Sequence, residues 1–308
     1  MGGGASAPPA TGRTVADNEI QARIMLGSVA ANFREAWLQS AIHFISGLPR
    51  AGSTLLSAIL RQNPRFRAGM TGPVGSLMEA MLRAMSMNNE TAIFISDAQR
   101  EALLRAIFAT FYADVGEGDV VFDTNRLWCT KLPLLATLFP KARVICCVRD
   151  LPWIFDSIER LIRTNKFQPS GIFNFESGGT VYSRVDGLGS ANGMVGYAWN
   201  ALHEAWCGEQ SDRLLLLTYE TLTSRPREAI AAVYDFIGEK PFVHDFENIE
   251  FDAAEFDRRL GTPGLHSVGR RVVRAERRTI LPPPLVHKYE HDAFWRDPAR
   301  NPNSVKVV

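Results

Sequence analysis

The chain has almost no excess of charge, with 34 Lys and Arg against 33 Asp and Glu leaving a formal net charge of +1 over 308 residues. Bulk electrostatics therefore gives no pull toward nucleic acid, and no nucleic-acid partner is expected, although a local basic patch stays open. Cysteine is scarce. Cys129, Cys146, Cys147 and Cys207 form no CxxC pair and have no metal-ligand spacing, so neither a disulfide framework nor a metal site is expected. Two of them sit in an apolar run, and reduced structural thiols in a cytoplasmic compartment are the expectation. Long apolar stretches are missing as well. No run approaches the roughly 18 residues needed to cross a bilayer, and the start lacks the basic-then-apolar order of a signal peptide. Residues 1–16 have too little apolar surface to offset ordering entropy, so a disordered tail is expected there. The opening Met1-Gly2-Gly3-Gly4-Ala5-Ser6 also fits the M-G-x-x-x-[ST] pattern of N-myristoylation.

What is present is an alternation of strands and helices. From Asp17, Ile20, Ile24, Met25, Val29, Phe33 and Trp37 recur at helical spacing, which predicts an amphipathic helix against the core or at a homodimer face. Strands are predicted at 42–46, 120–123, 142–148 and 213–218. Between and after them, helices are predicted at 53–62, 75–87, 97–113 with Asp97 as N-cap, 132–138, from 151, 194–209 and 226–237. This spacing implies one α/β domain over 17–297, a parallel sheet with helices on both faces, and ligands at the carboxyl ends of the strands. The interval 166–192, rich in Gly, Ser and aromatics, reads as a substrate-side excursion. Short helices are expected near 253–260 and 284–292, and residues 298–308 read as an extended tail. Between Arg258 and Arg278 stand seven arginines and a single acid, Glu276, a local basic patch.

The most informative stretch is Ile42-His43-Phe44-Ile45-Ser46-Gly47-Leu48-Pro49-Arg50-Ala51-Gly52-Ser53-Thr54-Leu55. It reads as a buried strand, a loop with Gly at both ends and a helix start. The unpaired N–H groups and the dipole of such a start favour an anion, a phosphate or a sulfate. The spacing nearly matches the nucleotide P-loop, but Ser53 stands where that motif requires Lys, and the cation comes from Arg50 inside the loop. A second cluster is Val148-Arg149-Asp150-Leu151-Pro152, with Ser157 eight residues after Arg149. A guanidinium at a strand end and a hydroxyl in the following helix suit a second phosphate. Taken singly, each cluster has a plainer alternative: a capped strand-turn-helix for the first, and a surface Arg-Asp pair beside a helical Ser for the second.

Together, in this order, they resemble the sulfotransferases that use 3′-phosphoadenosine 5′-phosphosulfate (PAPS). The resemblance covers about residues 42–295. It implies that Pro49, Arg50, Ala51, Gly52, Ser53, Thr54 and Leu55 surround the 5′-phosphosulfate. It further implies that Arg149 and Ser157 hold the 3′-phosphate and that Tyr219, after the last strand, lies near the adenosine. Arg271 of the basic patch is a further candidate for the cofactor. Gly264-Leu265-His266-Ser267-Val268 is similar to the C-terminal loop of tyrosylprotein sulfotransferases, including bacterial ones. The implied reaction is sulfuryl transfer to an acceptor hydroxyl, most of all a tyrosine in a peptide or protein, with no metal. An acidic setting of that tyrosine would suit the arginines. A small phenol or alcohol as acceptor, a deviant P-loop kinase and a cofactor-binding protein without catalysis are the alternatives.

Transfer needs cations at the leaving oxygen, for which Arg50 and Arg126 are the candidates, and a base for the acceptor's proton. Where animal tyrosylprotein sulfotransferases have a Glu, this chain has Thr71. His43 lies within a strand, which leaves Asp123, Glu79 and His266. Asp123 is preferred, because it ends a strand and strand ends converge on the site.

Overall fold

The computed structural model describes residues 41–167, 179–274 and 276–308. The expected tail at 1–16, the helix from Asp17 and part of the 166–192 excursion lie outside the described residues. Among the described residues six strands form one parallel sheet: β1 (Ala41–Gly47), β2 (Phe66–Ala68), β3 (Val120–Thr124), β4 (Val144–Val148), β5 (Leu214–Thr218) and β6 (Lys306–Val307). Their order is β2-β3-β1-β4-β5-β6. Helices α1 (Ser53–Leu60), α2 (Val74–Ala84), α3 (Asp97–Phe111), α4 (Leu132–Leu138), α5 (Leu151–Thr164), α6 (Val181–Gly189), α7 (Met194–Cys207), α8 (Tyr219–Ser224), α9 (Pro226–Ile237), α10 (Ala254–Arg259) and α11 (Pro283–Tyr289) connect and cover it. The result is a single α/β domain.

The strands read as unbroken apolar runs because both faces are covered. All five residues of β4 are buried, and so are Ile42 to Gly47 of β1. Beside β1, Phe44 packs on Trp128 with ring centroids 5.0 Å apart, and Phe108 meets Phe139 edge-on at 4.9 Å. The four cysteines are free, and burial pushes the Cys147 thiol up to about 12.

Sheet order creates the site. The chain leaves β1 toward β2 and β3 on one side, and leaves the adjacent β4 toward β5 on the other. Two neighbouring strands whose connections part in opposite directions open a crevice at their carboxyl ends. The loop after β1 and Arg149 after β4 both start at that crevice. Gly47 makes the approach possible: its φ is +99°, and a Cβ there would lie 2.3 Å from the carbonyl oxygen of Cys147.

Several expectations change. Phe66–Ala68, expected as loop, is an edge strand. Residues 298–308 do not trail away: Asn301 ties the turn by accepting from the N–H of Val305 at 2.9 Å, and β6 pairs with β5. The N-cap of α3 is Ser96, not Asp97, in a capping box with Gln99. Within the excursion, α6 forms under a Thr180 cap. The segment before α4 is a 3-10 helix, Arg126–Lys131.

Asp123 is the largest correction. It lies in β3 with 1% of its surface exposed, accepting from the Tyr112 hydroxyl at 2.6 Å and the Trp128 indole N–H at 2.9 Å. It thus joins α3 and the 3-10 helix to the sheet and does not line the cleft. Burial outweighs the two donors and raises its carboxyl from 3.8 to about 6.

Two outcomes are expected from urea unfolding. Gly47→Ala should cost more than about 3 kcal/mol, because a left-handed conformation costs an L-residue about 1–2 kcal/mol and the clash with Cys147 is added. Gly238→Ala, at φ +73° with open space around it, should cost only the first part. For Asp123, the folded chain holds the proton more tightly than the unfolded chain. Its stabilising contribution is therefore full below about 3.8 and lost as pH rises through about 6. The wild-type midpoint, measured relative to Asp123→Asn, should fall across that interval.

Candidate functional site

The cleft at the ends of β1 and β4 has a volume of about 530 Å³, within the range of small-molecule sites. Its floor is the loop after β1. Arg50 takes a left-handed conformation (φ +57°), as does Gly52 (φ +101°), whose carbonyl accepts from Leu56 N–H at 2.9 Å. Gly52 caps α1 without a side chain. The N–H groups of Ser53, Thr54 and Leu55 therefore face the cleft without an intrahelical acceptor. Pro49, Arg50, Gly52, Ser53, Thr54 and Leu55 all line the cleft. Ala51 does not; it turns into the core and is fully buried.

The second cluster meets the first. Arg50 Nε donates to Ser157 Oγ at 3.1 Å, and Arg149 Nη1 donates to the Arg50 carbonyl at 3.3 Å. The Arg149 guanidinium lies 4.0 Å over the ring of Tyr219, a cation–π contact that fixes its plane. Its Nε is buried without a partner among the described residues. Burial and the neighbouring Arg149 bring Arg50 down to about 10, and burial lowers Arg149 and Arg126 too. Arg126 lines the cleft and has no ion pair among the described residues.

Other predicted residues lie at the rim of the cleft or away from it. Arg271 stands at the rim, two thirds exposed and paired with Glu247 at 2.5 Å. The arginine reaching inward is Arg277, which sequence reasoning missed. Asp156, fully buried beside Ser157, holds Arg277 Nη2 at 2.8 Å and also accepts from Arg160, Thr279 and the N–H of Ile280. Because Asp156 pairs with Arg277, the C-terminal segment is pinned to α5. Glu79 is engaged by Lys131 at 2.5 Å away from the cleft. His43 is a core residue whose Nδ1 accepts from Arg143 N–H, and burial lowers it to about 4. Thr71 lines the cleft, its loop held by Ser57 and Thr124, which both donate to the Gly69 carbonyl at 2.8 Å.

Among the described residues lining the cleft, none is Asp or Glu. The cations Arg50, Arg126, Arg149 and Arg277, the orphaned Arg149 Nε and the free helix N–H groups form a cradle for a ligand with several anionic groups. They fit a nucleotide bearing phosphate at one end and phosphosulfate at the other. No group of three or more potential metal ligands comes together among the described residues. Nor is any described helix long and apolar enough to cross a membrane.

Comparison with known proteins gives the family. Among solved structures, a sulfotransferase domain from the curacin biosynthetic pathway aligns with 66% of this chain and 75% of its own length, at 17% identity and a TM-score of 0.44. A sulfotransferase domain from the Synechococcus PCC 7002 olefin synthase aligns with 82% and 87%, at 18% identity and a TM-score of 0.37. Sulfotransferase STF9 from Mycobacterium avium aligns with 69% and 68%, at 12% identity and a TM-score of 0.39. The decisive match is to the model of the sulfotransferase family, over residues 43–243, which is more than half of the 308 residues and contains both arginine clusters. On that match the chain belongs to the sulfotransferase family.

Proposed function

We propose that this enzyme transfers a sulfuryl group from PAPS to a phenolic hydroxyl, that of a tyrosine in a peptide or protein. The observation that carries the reading is the meeting of Arg50 with Ser157 and Arg149, about a hundred residues apart in the chain and joined in one cleft. Arg149, Ser157 and Arg277 would hold the 3′-phosphate. The N–H groups at the start of α1, with the hydroxyls of Ser53 and Thr54, would hold the 5′-phosphosulfate. Arg50 bridges the two ends, and Arg126 is the second cation toward the reacting group. PAPS supplies the activated sulfuryl group; the chain aligns it and offsets the negative charge that grows on the leaving oxygen.

The acceptor side draws on other features. Met194, Phe256, Leu260, Val268 and Val273 give the cleft an apolar wall against which an aromatic ring can pack. The basic patch is weaker than its seven arginines imply. Glu255 pairs with Arg258 and Arg259, Glu247 with Arg271, and Asp156 with Arg277. Arg270, which bonds the neutral Asn248 Oδ1, and Arg274 and Arg278 remain without an ion pair among the described residues, so an acidic flank on the peptide would have only these exposed charges to meet. A small phenol would meet the same apolar wall.

Calorimetry with adenosine 3′,5′-bisphosphate and with ATP-Mg separates this reading from a P-loop kinase. The bisphosphate is expected to bind, and binding of ATP-Mg alone would overturn sulfuryl transfer. Arg149→Ala should weaken the bisphosphate about tenfold to a hundredfold, the loss of charge-assisted hydrogen bonds worth about 1.5–3 kcal/mol. Its effect on kcat should be smaller. Arg50→Ala should lower both affinity and kcat, because its guanidinium serves both ends. Incubation with PAPS and a tyrosine peptide should add the mass of one sulfuryl group, read by mass spectrometry. Sulfation of p-cresol with none of the peptide would assign a small-molecule acceptor.

A further inference from the structure

Five arginines and, among the described residues, no carboxylate line the cleft, so the acceptor's proton has few places to go. Among its described lining residues, His266 is the single imidazole, and no Asp or Glu is present. The structure builds His266 into place. Asp257, on α10, is 2% exposed and turns both oxygens toward the segment that follows. One oxygen accepts from the backbone N–H of His266 at 2.8 Å; the other lies 2.6 Å from His266 Nδ1. The nine-residue return is made by Gly261 (φ +67°) and Gly264 (φ +84°), left-handed positions where glycine carries no steric cost. Thr262 N–H closes the turn on the Asp257 carbonyl at 2.9 Å. The ring packs edge-on against Phe256 at 5.5 Å.

Two consequences follow. A carboxylate at Nδ1 makes that nitrogen the donor, leaving the Nε2 lone pair available. Nε2 has no partner among the described residues. In addition, the residue before it is tied to the reacting end, since the Leu265 carbonyl accepts from Arg50 Nη1. The imidazole is thus fixed beside the cation that serves the leaving group, with a buried carboxylate behind it. This is the base–orienter arrangement that proton abstraction requires.

We propose that His266 is the catalytic base of the transfer and that Asp257 is its positioning residue. The assignment rests on the sulfuryl-transfer reading. His266 Nε2 takes the hydroxyl proton as the acceptor oxygen forms its bond to sulfur. The bond between sulfur and the bridging phosphate oxygen breaks, and its electron pair stays on that oxygen, beside the cations. The products are the sulfate ester and adenosine 3′,5′-bisphosphate, with the proton on an imidazolium that Asp257 stabilises. No oxidant or reductant is involved.

The first test needs no turnover. Long-range proton–nitrogen NMR of the six histidines, assigned with His266→Ala, should show His266 as the Nδ1–H tautomer in wild type, with that preference lost in Asp257→Asn. An Nε2–H tautomer in wild type would overturn the proposal. The second compares donor consumption in single turnover with p-cresol, which keeps its phenolic proton, and with 4-nitrophenol, most of which has lost it at mildly alkaline pH. If neither phenol is taken, water as acceptor replaces p-cresol. His266→Ala should lose about a hundredfold or more with the protonated acceptor and less than about tenfold with 4-nitrophenol, and added imidazole should restore part of the loss. Its affinity for the bisphosphate should stay within about twofold, which also shows that the variant is folded. Equal losses with both phenols, less than about threefold with the protonated acceptor, or a parallel fall in bisphosphate affinity would each overturn the assignment. Wild-type protein that binds no bisphosphate would instead overturn the sulfuryl-transfer reading on which it rests.

Discussion

Like charges brought together out of water are the constraint around which this molecule is arranged. Arg50, Arg126, Arg149 and Arg277 line one cleft in which no described carboxylate appears. Burial lowers the first three below the usual guanidinium range, and Arg149 and Arg277 oppose the charge on Arg50. Such a site is stable only because the chain leaves it no alternative arrangement, and an anion entering it removes a cost already present in the folded protein. The free N–H groups of α1 act in the same direction. Binding and catalysis thus draw on one feature, positive potential fixed in advance where negative charge arrives or grows.

What fixes it is mostly backbone and one carboxylate. Gly47 lets β1 pass against Cys147 so closely that no side chain fits between them. The loops after β1 and β4 therefore start side by side, and Arg149 can bond the Arg50 carbonyl directly. Asp156 does the corresponding work from the other side. Fully buried, it accepts from Arg160, Arg277, Thr279 and Ile280 and so ties the irregular C-terminal third to α5 next to Ser157. Four donors on one buried carboxylate offset its desolvation. The C-terminal third has little regular structure of its own, yet through Asp156 and the Leu265 carbonyl it closes the cleft.

The places where the structure departs from expectation have a common physical origin. Asp123 was preferred as base because it ends a strand. Side chains alternate along β3, however, and Asp123 points to the face where Tyr112 and Trp128 donate to it, while Thr124 reaches the cleft. The strand was visible, but an unbroken apolar run does not say which of its faces turns toward the site. Arg271 and Arg277 belong to a segment without a period, so nothing local says which turns inward; Asp156, more than a hundred residues away, decides it. His266 was a candidate from a motif, but its carboxylate partner was not recognisable. A nine-residue separation becomes a contact only through the left-handed turns at Gly261 and Gly264.

The amino-acid order by itself determined the parallel α/β domain, the loop from Gly47 to Thr54 with Arg50 inside it, and the spacing that puts Arg149 at a strand end and Ser157 in the following helix. Each of these is written in short-range patterns: strand and helix periods, glycines at forced turns, a fixed spacing from a strand end into a helix. Tertiary structure alone decided that both arginine clusters share a crevice, that Asp123 is a core carboxylate and Arg277 a cleft cation, and that Asp257 stands behind His266. Those facts depend on strand order and on which face of each element is buried, and both are settled by packing between segments far apart in the chain.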